Sequence, residues 1–343
     1  VNIFNKVLST IKYNRDKLLS GGYNVIPWNL PRFQRYLPGI EQGKYYCVTA
    51  NQKVGKSQLT DFLFVFNPYH MIKSGIIKNV KYRVLYFSLE LSKEAKMTQF
   101  VSNTLFIKSN GILNYDINAL SSLKNPIPDT VLQKLDDYKD YIGNLEKYVR
   151  FIDHCRSADH ILNYIDKDLE KHPKQEDEWI VVIVDHAGLL ESNSDADLRN
   201  QIGILSKGFV SRRNDYKITP VLIQQQTSSQ ESLDNFKANK LKPSANGLGE
   251  NKTTGRDFDV ILGIFSPIKH DIPEYLGYDI KLFKDNIRFL EIVEGRFGGT
   301  GITCPLYFDG RVTYFKELPI PNTLEYSAEL ERINKLKSYI DGT

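Results

Sequence analysis

A lysine and a hydroxyl set side by side after a run of small and polar residues can hold a phosphate and a cation together, and this chain carries such a pair at Lys56 and Ser57. The stretch reads Ala50-Asn51-Gln52-Lys53-Val54-Gly55-Lys56-Ser57-Gln58. Its spacing is that of a Walker A phosphate-binding loop with Ala in place of the usual first glycine. In such a loop successive backbone NH groups and the amino end of a helix face the phosphates. The lysine adds a mobile charge for the β- and γ-oxygens, and the serine ligates Mg2+. The first position needs a small residue more than a left-handed one, so Ala50 is compatible. The bland alternative is a chance Gly-Lys-Ser ahead of a helix.

The flanks favour the phosphate reading. A β-prone run, Tyr45-Tyr46-Cys47-Val48-Thr49, precedes the loop, and Leu59, Phe62, Leu63 and Phe66 follow it at helical spacing. Two carboxylates close apolar runs further on. Val84-Leu85-Tyr86-Phe87 leads to Ser88-Leu89-Glu90, and Ile180-Val181-Val182-Ile183-Val184 leads to Asp185. Such runs suit a parallel sheet covered on both faces, whose ligands sit beyond the carboxyl ends of its strands. Asp185 then reads as the acid delivered to the Mg2+ shell. Glu90 reads equally as a residue acting on the nucleotide or as a solvated strand end. A strand over 218–223 runs into Gln224-Gln225-Gln226, amides able to donate to a phosphate oxygen and to relay its presence to the loop behind.

These segments predict an α/β fold with a mostly parallel central sheet, flanking helices and a carboxyl-terminal antiparallel hairpin. The 343 residues, 41% of them hydrophobic, suffice for one large domain or two smaller ones. A net charge of +4 is too balanced to announce a polyanion-binding protein, so any basic surface must be local. The three cysteines, Cys47, Cys155 and Cys304, suggest neither a zinc site nor a disulfide framework, and the six histidines show no metal-ligand spacing. With no membrane-length apolar run and no secretory signal, a soluble protein of the cytoplasm is expected.

Other stretches divide the chain into 1–20, 21–318 and 319–343. Ile3, Phe4, Val7, Leu8 and Ile11 form an apolar stripe on a first helix, to be covered by the chain's own core or by a neighbouring subunit. Residues 22–43, rich in Pro and aromatics, read as an ordered loop. The long polar segment 227–256 carries Lys237, Lys240, Lys242, Lys252 and Arg256 among glycines, and suits either contact with a polyanion backbone or plain solvation. A glycine-rich turn at 294–301 holds Arg296. Asp309-Gly310 predicts a two-residue hairpin turn, and Asn322 with Glu325 predicts the cap of a terminal helix.

In this order the segments resemble the RecA-type motor domain of DnaB-family replicative helicases. The signposts are Pro38-Gly39 to Gly43, Phe87-Ser88-Leu89-Glu90-Leu91-Ser92, Ile183-Val184-Asp185, the glutamine cluster, Asp257-Phe258-Asp259 and Gly295-Arg296-Phe297-Gly298. The resemblance implies a RecA-like P-loop core that uses ATP and Mg2+, with catalytic roles for Lys56, Glu90, Gln225 and Arg296. Glu90 would polarise the attacking water, and Ser57 with Asp185 would hold the metal. Gln225 would sense the γ-phosphate, and Arg296 would reach the ATP of the adjacent subunit. It further implies a homo-oligomeric, hexameric ring around single-stranded DNA, with a primase or loader as further partners. Channel loops would correspond to 192–197 and to Gly249-Glu250-Asn251-Lys252, with Lys240 and Lys242 alongside. Glu294 stands where the family often has a lysine, and only the first helix precedes the motor, as in a phage-encoded enzyme acting in a host cytoplasm. The expected activity is an ATP-driven DNA helicase or translocase. The rivals are a RecA- or KaiC-like remodelling ATPase and a nucleotide-gated scaffold that does not hydrolyse.

Overall fold

The two apolar runs that end in Glu90 and Asp185 become neighbouring parallel strands, and the rest of the sheet grows from them. The computed structural model describes residues 2–232, 234–235, 240–249, 252–296 and 298–341; for 230, 231, 252, 253 and 337–341 only the backbone is described. Two short strands, β1 (Val25–Pro27) and β2 (Gly39–Glu41), form a ribbon ahead of the main sheet, and β9 (Glu274–Tyr275) and β10 (Tyr278–Asp279) form another late in the chain. The parallel part of the main sheet comprises β3 (Tyr46–Ala50), β4 (Lys81–Ser88), β5 (Val149–Ile152), β6 (Glu178–Asp185), β7 (Thr219–Gln225) and β8 (Val260–Phe265). The antiparallel part comprises β11 (Ile287–Gly295), β12 (Thr303–Asp309) and β13 (Tyr314–Glu317). These nine strands lie in the order β13-β12-β11-β8-β3-β7-β6-β4-β5.

Alternation along the strands divides the core in two. On β6, Val181 and Ile183 face one layer while Ile180, Val182 and Val184 face the other. The first layer is covered by the helical run that follows the loop: α2 (Lys56–Asp61), a π-wound turn (Phe62–Phe66) and α3 (Asn67–Lys73), with Phe100 of α4 (Lys93–Lys108). Two further helices, α5 (Ile117–Leu120) and α6 (Asp129–Gly143), complete the connection from β4 to β5. The second layer is covered by α7 (Ala158–Lys171) and α8 (Asp195–Tyr216), through Ile161, Ile165, Ile202, Leu205 and Phe209. This two-sided cover is why the strands read as continuous apolar runs.

Three expectations change. Residues 22–43 are not only a loop, because β1 pairs antiparallel with β2 within them, with Trp28 and Phe33 buried beside the ribbon. The hairpin turn spans 310–313, since Asp309 pairs with Tyr314. Val312 is drawn inward onto Phe106 and Leu336, and Asp309 Oδ1 accepts the backbone NH of Arg311. The terminal helix Leu324–Asp341 is capped by Thr323, whose hydroxyl accepts from Tyr326 N, one residue beyond the expected Asn322. The first helix, α1 (Ile3–Leu19), buries no residue. Its ties to the chain include Tyr13 and Lys17 each reaching Asp177 at 2.6 Å, with the Lys17 ammonium over the Trp179 ring. Ile3, Phe4, Val7 and Ile11 stay exposed and Leu8 is half-buried, so the chain's own core leaves most of the stripe uncovered. No described helix is long and apolar enough to cross a membrane.

Gly39 is required by close approach: a Cβ there would lie 2.0 Å from the Ile26 carbonyl oxygen across the ribbon. Gly39→Ala is expected to lower the urea midpoint by the equivalent of about 1–3 kcal/mol, as overpacking does.

Candidate functional site

Parallel pairing puts the ends of β3, β7, β6 and β4 on one edge of the sheet. Ala50 pairs with Gln225, and Ser88 pairs with Asp185. The loop leaving β3 turns through Lys53 at φ 57° and Gly55 at φ 106°, the second a conformation that favours glycine. Lys56 is buried, its ammonium resting 3.3 Å from the Asn51 carbonyl. Ser57 donates to Asp185 Oδ1 at 2.7 Å. A hydroxyl and a carboxylate are the hard oxygen donors that suit Mg2+, and the lysine and helix start beside them suit phosphate. Asn51 Oδ1, buried with no hydrogen-bond partner in the chain, is an orphaned acceptor that a hydrated ligand in the loop would satisfy. The donor set therefore fits a Mg2+-nucleotide. Glu90 is exposed just beyond Ser88, on the same edge.

The three glutamines separate by strand alternation. Gln224 exchanges hydrogen bonds with Thr254, and Gln226 bonds Thr49 and Ser244. Both are thus spent on holding the segment that follows. Gln225 and Gln226 both line a crevice of about 490 Å³, together with Gln52, Arg199 and Gly249. Gly249 N donates to Gln225 O at 2.7 Å, and a Cβ on Gly249 would lie 2.9 Å from that oxygen. The segment 227–256 is accordingly not structureless where it is described. It contains short 3-10 turns and is pinned just beyond the end of β7 by the Gln226–Leu248 bridge.

Of the residues assigned to DNA, Lys240 is exposed, whereas Lys242 pairs with Glu291 at 3.4 Å and lies over Tyr275. Glu250 and Asn251 lie outside the described residues, as do Lys237 and Phe297, and only the backbone of Lys252 is described. The 192–197 loop is shorter than expected, because α8 begins at Asp195, capped by Ser194 accepting from Asp197 N.

Arg296 lies elsewhere. β11 runs antiparallel to β8, so Gly295 pairs with Val260, which is level with Tyr46 at the start of β3. The step from Tyr46 to Ala50 is about 13 Å of strand. Arg296 is therefore at the edge opposite its own phosphate loop. There it is held 3.3 Å from Asp259, whose carboxylate also binds Arg213 and Tyr45 N.

The sequence reading missed the residues that brace the loop. Arg288 on β11 is buried, donates to the Val54 carbonyl at 2.8 Å and stacks on Phe308. Lys269 reaches the Gln52 carbonyl at 3.1 Å, and Gln58 donates to the Gly310 carbonyl. Behind Asp185, Lys96 is buried between Asp185 and Asp61, 3.0 Å from each, with the Tyr86 hydroxyl at 2.8 Å. Burial pushes the Asp185 carboxyl up, but Lys96 and hydrogen bonds from Ser57 and Tyr86 hold it below the usual carboxylate range. Asp61 stays above that range, because burial and the Asp185 charge outweigh Lys96. The one available signal was that Lys96 shares a helical face with buried Phe100 and Asn103. Arg288→Met keeps much of the side-chain volume but frees the Val54 carbonyl. It is expected to weaken ATP binding about tenfold in a fluorescent-nucleotide titration, the scale of one lost charge-assisted hydrogen bond.

The profile of the DnaB-like helicase C terminal domain family matches residues 26–317. No curated protein matches by sequence. Among solved structures, the ATPase domain of a phage helicase superposes with a TM-score of 0.67 at 18% identity, over 93% of this chain and 100% of that one. A DnaB-like replicative helicase described with its interactions with primase superposes with a TM-score of 0.65 at 17% identity, over 93% and 68%. With the family profile spanning both ends of the phosphate edge and the β11 terminus, the chain belongs to the DnaB-like helicase C-terminal domain family, a RecA-type ATPase fold.

Proposed function

We propose that this protein is an ATP-driven DNA helicase or translocase that works as a homo-oligomeric ring. The observation that carries the reading is the 2.7 Å contact of Ser57 with Asp185 beside the buried Lys56, on the edge where Glu90 and Gln225 also emerge. On this reading Lys56 binds the β- and γ-phosphates, and residues 50–58 supply the surrounding amides. Ser57 and Asp185 hold Mg2+, which neutralises developing charge on the phosphates. Glu90, exposed at the mouth, orients the attacking water. Gln225 sits on the γ-phosphate and passes its state to Gly249 through the backbone bond between them.

Arg296 serves the neighbouring subunit's nucleotide. Its place at the edge remote from its own phosphate loop, with the side chain about half exposed, supports a role in trans. The open apolar side of α1 supports a helix that docks on a second copy, with primase or a loader as further partners. Within 240–252, Lys240 and Gly249-Glu250-Asn251-Lys252 follow the backbone of single-stranded DNA, and Lys242 contributes less because Glu291 already engages it.

Strand displacement on a forked duplex tests the activity. ATP hydrolysis stimulated by single-stranded DNA without displacement would favour a remodelling ATPase instead, and no turnover at all would leave the scaffold reading. Arg296→Ala is expected to keep ATP affinity within about threefold while turnover drops roughly a thousandfold. A loss of binding as deep as in Lys56→Ala would refute the role in trans. Removing the charges of Lys240 and Lys252 should flatten the salt dependence of DNA binding by about 0.7 log units per lost contact.

A further inference from the structure

Lys96 is the only side chain described that places an ammonium against both Asp61 and Asp185 in the interior. All three are 1% exposed. The two oxygens of Asp185 are used differently. Oδ2 accepts from Lys96 at 3.0 Å and from Tyr86 at 2.8 Å, whereas Oδ1 accepts from Ser57 at 2.7 Å. Asp61, at the end of α2, contacts Lys96 through both of its oxygens, at 3.2 and 3.0 Å. The carboxylate of Asp185 is thereby fixed in rotation, with one oxygen sealed inside and the other turned to the phosphate edge.

We propose that Lys96 is a positioning residue for the divalent cation: anchored by Asp61, it offsets the charge of Asp185 from behind and leaves Oδ1 alone for metal. The site then holds Mg2+ weakly by itself and firmly only when nucleotide phosphates complete the attraction. The proposal rests on Ser57 and Asp185 being the metal pair. A fixed positive charge a few ångströms behind a carboxylate opposes a second cation in front of it, strongly so in a water-poor interior. The phosphates of a bound nucleotide outweigh that opposition because they carry several negative charges. Metal and nucleotide would therefore arrive and leave together.

The probe is Mn2+, followed by electron paramagnetic resonance at pH 8 without hydrolysis. In the unaltered protein, binding with a non-hydrolysable ATP analogue should be roughly a hundredfold tighter than without it. Equal affinity in the two states would overturn the proposal with no variant needed. Asp61→Asn combined with Lys96→Met removes one charge of each sign, so the interior keeps its net charge and the protein can be checked for folding by circular dichroism. This double variant should bind Mn2+ without nucleotide about tenfold more tightly than the unaltered protein. Lys96→Arg should leave the value unchanged. A folded double variant with unchanged nucleotide-free affinity would refute the role of Lys96. If instead Asp185→Asn and Ser57→Ala leave Mn2+ binding intact with the analogue present, the metal pair itself is misassigned, a distinguishable failure.

Discussion

Strand direction is the constraint on which the rest depends. β3, β7, β6 and β4 run parallel and in close register, so Ala50, Gln225, Asp185 and Glu90 come out on one edge although they are far apart in the chain. β11 runs the other way and carries Arg296 to the opposite edge. One sheet thus presents, at one edge, the turn that carries Lys56 and Ser57 beside Asp185 and, about a strand length away, the Arg296 guanidinium.

The phosphate loop is held as much by the antiparallel end of the sheet as by its own strand and helix. Arg288, Phe308 and Gly310 all belong to the carboxyl-terminal strands and their turn, and they meet Val54, Gly55 and Gln58. The four-residue turn matters here, because its backbone carbonyl at Gly310 lies against the first turn of α2. Asp259 makes a comparable anchor at the other edge, tying Tyr45, Arg213 and Arg296 through one buried carboxylate. The two anchors stiffen both edges through β8 and β11, the strands where parallel and antiparallel pairing meet.

What was legible in the sequence was local or periodic. The phosphate loop followed from residue types at fixed spacing, and β4 and β6 followed from apolar runs too long for a surface strand. The family resemblance supplied roles for Glu90, Gln225 and Arg296 that spacing does not carry. Turn details were less legible: the hairpin turn depends on Val312 finding a buried contact and the terminal cap on which of two neighbouring side chains reaches the backbone NH of Tyr326.

The sequence by itself determined that a phosphate loop, two strand-end acids and a polar strand end exist, because each is written in contiguous residues whose backbone preference and polarity agree. Only the tertiary structure decided that Lys96 lies between Asp61 and Asp185, that Arg288 supports Val54, and that Gln224 bonds Thr254, Gln226 bonds Thr49 and Gln225 lines the crevice beside Gly249. A buried lysine and an exposed one have the same one-dimensional signature. Their difference lies in the opposite charges brought to them by other elements, and a charge leaves water only when such partners are already in place.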